Sequence, residues 1–151
     1  MTEPKATKTL VILNDGPYGT ERSYNGLRLA CSLAKRTTEQ VDVFLIGDAA
    51  ACAKAGQKVP QGYYNLELML GSVNRRGGKV GVCGTCLDAR GITDDELAEG
   101  CHRSTMEELT DWTQQADRGS PDTDSGCSYL RAQTVACGID KRQISSYHHS
   151  R

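Results

Sequence analysis

Lys79-Val80-Gly81-Val82-Cys83-Gly84-Thr85-Cys86-Leu87-Asp88-Ala89-Arg90-Gly91 reads as a short buried strand, Lys79 to Val82, that delivers a cysteine into a tight loop. A second cysteine follows three residues later, and an arginine and a glycine close the turn. Open α/β sheets carry their chemistry at the carboxyl ends of their strands, so a thiol at this position makes the rest of the chain its scaffold.

Working backwards, Gly77-Gly78 stop a helix whose apolar positions Leu66, Met69, Leu70 and Val73 recur at helical spacing. Residues 56 to 63 form a loop before it. Val41-Asp42-Val43-Phe44-Leu45-Ile46 is a strand ended by Gly47-Asp48, with Asp48 expected to cap a short helix through about Ala55. Earlier still, Thr9-Leu10-Val11-Ile12-Leu13 is a continuous apolar, β-branched run, the pattern of a strand buried on both faces of a parallel sheet. The turn-rich loop Asn14-Asp15-Gly16-Pro17-Tyr18-Gly19 follows it. Next, Tyr24, Leu27, Ala30, Cys31 and Ala34 mark an amphipathic helix from about Thr20 to Arg36. Strand-helix-strand units of this kind build parallel sheets with right-handed crossovers.

Beyond Gly91, two capping boxes announce helices. Thr93 with Glu96 opens a short one through about Gly100, and Ser104 with Glu107 opens a longer one carrying Met106, Leu109 and Trp112. The fold class that results is α/β: a single-domain, open, mainly parallel sheet with helices on both faces and a doubtful final edge strand. Residues 1–7 read as a flexible N-terminus, 8–117 as the domain, and 118–151 as a disordered or atypical tail. In the tail, Tyr129-Leu130 and Thr134-Val135-Ala136 are candidates to pair as short strands.

Composition narrows the function classes. The 151 residues carry 18 basic and 19 acidic side chains, which gives no field for binding nucleic acid or an acidic membrane. No stretch approaches the roughly 20 apolar residues of a membrane helix, and the first ten residues are too polar for a signal peptide, so a cytoplasmic location is expected. The seven cysteines are then core residues, working thiols or metal ligands rather than a disulfide framework.

Taken together, the Asn14-Asp15 loop, the helix beginning Glu21-Arg22-Ser23-Tyr24-Asn25-Gly26, and Cys83-x6-Arg90-Gly91 followed by Ile92-Thr93-Asp94-Asp95-Glu96 resemble the DsrE/DsrF-like family. The Cys-Gly-Thr-Cys-x-Asp-Ala-Arg-Gly form is most similar to its YchN-like branch. The resemblance covers Lys8 to about Asp117. It implies a small α/β fold that assembles as a homo-oligomer, trimer or hexamer. In the sulfur-relay members, the cysteine matching Cys83 carries a persulfide between a sulfur-donor and a sulfur-acceptor protein. The chain departs from the family at Arg118-Gly119-Ser120-Pro121, where members end in a short apolar strand.

Three functions follow, and each makes a different use of the same residues. In the first, Cys83 is a sulfur carrier, a task that needs an accessible thiol biased toward its anion. Arg90 would stabilise that thiolate or an anionic group, or else pair at the surface with Asp88, Asp94 or Asp95. In the second, Cys83 and Cys86 form a Cys-x-x-Cys redox pair. In thioredoxin-like enzymes such a pair stands at a helix start, whereas this one falls at a strand end. The third is an oligomeric module whose pocket holds a small ligand and whose cysteines are incidental.

Asn14, Asp15, Tyr18 and Gly84 are the candidates to line a pocket beside Cys83. Gly84 and Gly91 are assigned positive φ in the tight loop. The loop after the first strand lacks the glycine spacing of a phosphate site, so no cofactor is expected. A zinc site is not expected either, because Cys101-His102 is the only other thiol-histidine pair near the motif. Cys31 and Cys52 are assigned to the core.

Overall fold

A computed structural model describes residues 6–117. Four strands form one sheet: β1 (Thr7–Leu13), β2 (Glu39–Leu45), β3 (Val80–Cys83) and β4 (Cys101–Ser104). They are parallel throughout, in the order β1-β2-β3-β4. The helices are α1 (Arg22–Leu33), α2 (Leu66–Asn74), α3 (Gly84–Asp88) and α4 (Met106–Gln115). Two 3-10 segments, Gly47–Ala53 and Asp94–Glu96, sit in the connections.

Alternation along the strands divides the core into two layers. Val11, Leu13, Val43, Leu45, Val80 and Val82 point to one face, where Leu27 of α1, Leu66, Leu70 and Val73 of α2, and Leu87 of α3 cover them. Leu10, Phe44 and Cys83 point to the other face and meet Leu109, Trp112 and Ala116 of or beside α4. Phe44 and Trp112 meet edge to face, their ring centroids 6.1 Å apart. Every residue of β3 is buried, as the continuous apolar reading of parallel strands requires.

The expected α/β sheet with helices on both faces is the observed one, and several of its details differ from the sequence reading. β1 begins at Thr7, whose amide bonds to the Thr38 carbonyl at 2.8 Å. α1 is shorter than expected at both ends. β4 was not foreseen at all: Cys-His-Arg-Ser has neither alternation nor an apolar run, and it becomes a strand only by pairing with β3, Val80 to Cys101 through Cys83 to Ser104.

Because Ser104 ends that strand, the cap of α4 moves one residue on. The Thr105 side chain accepts from the Glu108 amide at 3.2 Å. The Thr93–Glu96 capping box is present, but it starts a single 3-10 turn rather than a helix reaching Gly100. Asp48 caps nothing: Ile46 precedes the 3-10 segment, and Asp48 lies within its first turn. Gly77 takes φ +85° beyond α2 and, with Gly78, returns amides to the Asn74 and Val73 carbonyls, the left-handed stop expected there. The readings of residues 1–5 and 118–151, including the two tail segments and the final family strand, lie outside the described residues.

Candidate functional site

Instead of entering a loop, the chain leaves β3 and turns at once into α3. Cys83 is both the last residue of the strand and the residue that precedes the helix. Gly84 is consequently helical and does not take positive φ. What its position demands is room: an added Cβ would stand 3.2 Å from the Ser104 carbonyl oxygen and 3.2 Å from the Arg103 guanidinium. Gly91, at φ +63°, is the residue that does take the left-handed conformation.

The turn of α3 brings residue i+3 beside the strand end. Cys86 donates to Cys83 with the two Sγ atoms 2.8 Å apart, and both thiols are free. Thr85 Oγ1 is 3.3 Å from Cys83 Sγ. Across β2, the Gly47 amide donates to Cys86 Sγ at 3.1 Å. Cys83 is 9% exposed, so the access assigned to it as a loop residue is much reduced.

The two thiols are driven apart in acidity. Burial works to raise the Cys83 pKa, but hydrogen bonds from the Cys86 thiol, the Thr85 hydroxyl and the Cys86 and Thr85 amides outweigh it and hold the thiol below its ordinary value. Cys86 is raised, first by burial and then by the hydrogen bond and negative charge of Cys83, against the Gly47 amide and the Arg90 charge. Of the two, Cys83 is the thiol that ionises more readily, and Cys86 is the one that donates to it.

Arg90 grips the outer side of this turn. One nitrogen donates to the Cys86 carbonyl at 2.9 Å and another to Asp48 Oδ1 at 2.5 Å. Its carboxylate partner is thus Asp48 and none of the three acids nearby in sequence. Asp88 and Asp94 are taken by Arg103, at 2.9 and 2.6 Å, while Arg103 also donates to the Gly84 carbonyl at 3.0 Å. Exposed ion pairs of this kind add little stability each, and their role here is to pin both ends of α3.

Asn14, Asp15 and Tyr18 lie on the same sheet edge, but β2 separates their strand from β3. The Asn14 carbonyl accepts from the Ala49 amide, and Asp15 faces Arg22 at 3.6 Å while its carbonyl accepts from Ser23 at 2.5 Å. Tyr18 stacks on Tyr64 and donates to that residue's carbonyl at 3.2 Å. Of the sequence candidates, Cys83, Gly84, Cys86 and Arg90 come together. Gly47, Asp48 and Thr85 join them and were missed, Gly47 because its contribution is a backbone amide presented at φ +63°.

The remaining thiols behave differently. Burial pushes Cys52 up to about 12 and Cys101 up to about 11. Cys31, also raised by burial, donates to the Met69 carbonyl at 3.4 Å. His102 and Ser104 both bond to the Glu108 carboxylate, His102 at 2.9 Å. Among the described residues no group of three or more histidines, cysteines or acids is placed to hold a metal ion, and no helix is long and apolar enough to cross a membrane.

Residues 7–119 match the model of the DsrE/DsrF-like family. Protein YchN of Escherichia coli is 37% identical over 112 residues, which cover 74% of this chain and 95% of YchN. Uncharacterized protein MK0008 of Methanopyrus kandleri is 36% identical over 107 residues, 71% of this chain and 87% of that protein. Among solved structures, the crystal structure of the Escherichia coli ychN protein superposes with a TM-score of 0.69, covering 74% of this chain and 95% of that one. The Methanobacterium thermoautotrophicum protein of unknown function MTH1491 shares the fold at 13% identity, with a TM-score of 0.56 over 74% of this chain and 94% of that one.

Proposed function

This chain belongs to the DsrE/DsrF-like family, and on that premise we propose that it handles sulfur, carrying sulfane sulfur as a persulfide on Cys83 and relaying it to a partner protein. The observation that carries this reading is the Cys83 sulfur at the end of β3, met by Cys86 Sγ at 2.8 Å and Thr85 Oγ1 at 3.3 Å, with donors around it that lower its pKa. Its thiolate form attacks the outer sulfur of a donor persulfide and expels the donor thiolate. A low pKa also makes Cys83 a good leaving group when an acceptor thiolate takes that sulfur on. The protein works in this reading as a cytoplasmic homo-oligomer, without a cofactor, between a donor and an acceptor protein. Incubation with a persulfide donor, followed by intact mass of wild type and Cys83→Ser, tests it. Wild type gains one sulfur and the variant none; equal gain, or none in wild type, sinks the proposal.

A second reading, thiol-disulfide exchange through Cys83 and Cys86, gains support from α3. The Cys-x-x-Cys stands at a helix start as well as a strand end, and its sulfurs are in contact. A redox titration that finds no Cys83–Cys86 disulfide at any potential excludes it.

A further inference from the structure

In the relay Cys86 serves only as a hydrogen-bond donor to Cys83, yet its own sulfur is held from several sides. It stands 2.8 Å from Cys83 Sγ, anchored by the Gly47 amide at 3.1 Å and by the hold of Arg90 on its own carbonyl at 2.9 Å. We infer that Cys86 discharges a persulfide carried on Cys83 as hydrosulfide, so that the chain is a sulfane-sulfur reductase as well as a carrier. The inference rests on the persulfide reading of Cys83 given above.

The step balances without an outside oxidant or reductant. The Cys86 sulfur bonds to the inner sulfur, Cys83 Sγ, and the bond from Cys83 Sγ to the outer sulfur breaks. The outer sulfur keeps that electron pair, takes the Cys86 proton and departs as hydrosulfide, leaving the Cys83–Cys86 disulfide. Sulfane sulfur is reduced by two electrons, and the two cysteine sulfurs supply them. A small-molecule or protein dithiol then returns the pair to the reduced state.

Geometry sets the competition between relay and discharge. An acceptor protein must reach the outer sulfur of a residue that is 9% exposed, whereas Cys86 already touches the inner one, the proximity that makes an intramolecular step fast. Loading also changes Cys86 itself. At rest it donates to Cys83 Sγ, whereas in the loaded state the outer sulfur carries the negative charge and is the acceptor for the Cys86 proton.

To test this, the reduced full chain is loaded with sodium tetrasulfide and desalted. Released sulfide is then trapped and counted, while peptide mapping under non-reducing conditions follows Cys83. Wild type is expected to release one equivalent of sulfide per persulfide lost and to end as the Cys83–Cys86 disulfide. Cys86→Ser and Cys86→Ala are expected to keep the persulfide on Cys83 and to release sulfide at least about 10-fold more slowly. A wild type that leaves loading already as the disulfide, while the variants leave it as the persulfide, is the same result reached sooner. A stable wild-type persulfide, or variants that release sulfide as fast as wild type, overturns the inference and leaves the relay standing. Absence of sulfur from Cys83 in all three proteins overturns both.

Discussion

Cys83, the last residue of β3, and Cys52, in the connection after β2, are both buried thiols at the carboxyl edge of one sheet, yet their chemistry diverges. Cys52, in the 3-10 segment after β2, is fully buried, and its Sγ donates to the Asp15 carbonyl at 3.8 Å, an acceptor that favours the protonated form. Burial there dominates the Ser23 and backbone hydrogen bonds that oppose it, and the pKa stands at about 12. At Cys83 burial pushes the same way, but the Cys86 thiol, the Thr85 hydroxyl and two amides converge on the sulfur and win. What separates a working thiol from a core residue in this fold is the supply of donors together with shallower burial, for Cys83 keeps 9% of its surface exposed where Cys52 keeps none.

The comparison breaks most decisively in an alkylation time course. With Cys52 raised from 9.0 to about 12 and Cys83 lowered, the thiolate fraction at pH 8 favours Cys83 by at least ~1000-fold. Iodoacetamide labelling followed by peptide mapping should show that order. Comparable rates would mean that the donors around Cys83 are ineffective.

Removing donors one at a time sharpens the same point. Cys86→Ala withdraws a thiol hydrogen bond from an anion and should slow Cys83 labelling at pH 7 by about 10-fold, with its pH profile moved upward. Thr85→Val withdraws a neutral hydroxyl and should cost about 5-fold by the same assay. A flat response to both would leave the amides as the whole cause.

The smallest effect is expected at the opposite pole. Cys52→Ala should lower stability by about 1–2 kcal/mol, the loss of a small buried group, and leave Cys83 labelling unchanged. The signs of the two pH dependences differ as well. Cys52 is raised on folding, so its contribution to stability is complete below about pH 9 and is lost as pH climbs toward 12. Cys83 is lowered on folding, so its contribution is complete above the ordinary thiol value and is lost as pH falls through the lowered one. Chemical denaturation of wild type, Cys52→Ala and Cys83→Ala between pH 7 and about 10 reads both slopes.

The sequence carried the parts of this contrast that depend on local pattern. Apolar runs at Leu10–Leu13 and Val41–Leu45 marked β1 and β2, and the cysteine at the end of the Val80–Val82 run marked the site. Choices that depend on partners far along the chain were not legible. Ser104 and Thr105 each have a glutamate three residues on, and only the pairing of β4 with β3 decides which of them caps α4. Arg90 had three nearby acids to choose from and takes Asp48, 42 residues away, because Arg103 reaches Asp88 and Asp94 first. Gly47 offers an amide, a group every residue but proline possesses, so no residue type announces it. Gly84 was chosen correctly as a constrained glycine and given the wrong constraint, since crowding and left-handed φ leave the same letter in a sequence.

Asp117, just past α4, closes on Lys8 at the start of β1. Its carboxylate accepts from the Lys8 amide at 2.9 Å, and its own amide donates to the Lys8 carbonyl at 3.1 Å. The start of β1 and the residues just past α4 are thereby stitched together at the amino edge of the sheet, a strand length of about 20 Å from the carboxyl edge that carries the thiols. The described residues 6–117 thus begin and end side by side, the arrangement that circular permutation needs. A short linker from Asp117 to Lys8, with the chain reopened in the loop between α2 and β3, would renumber the polypeptide while leaving the sulfur end untouched. The same stitch makes residue 8 or 117 the natural place for a surface tether, because a protein immobilised there presents its thiols outward.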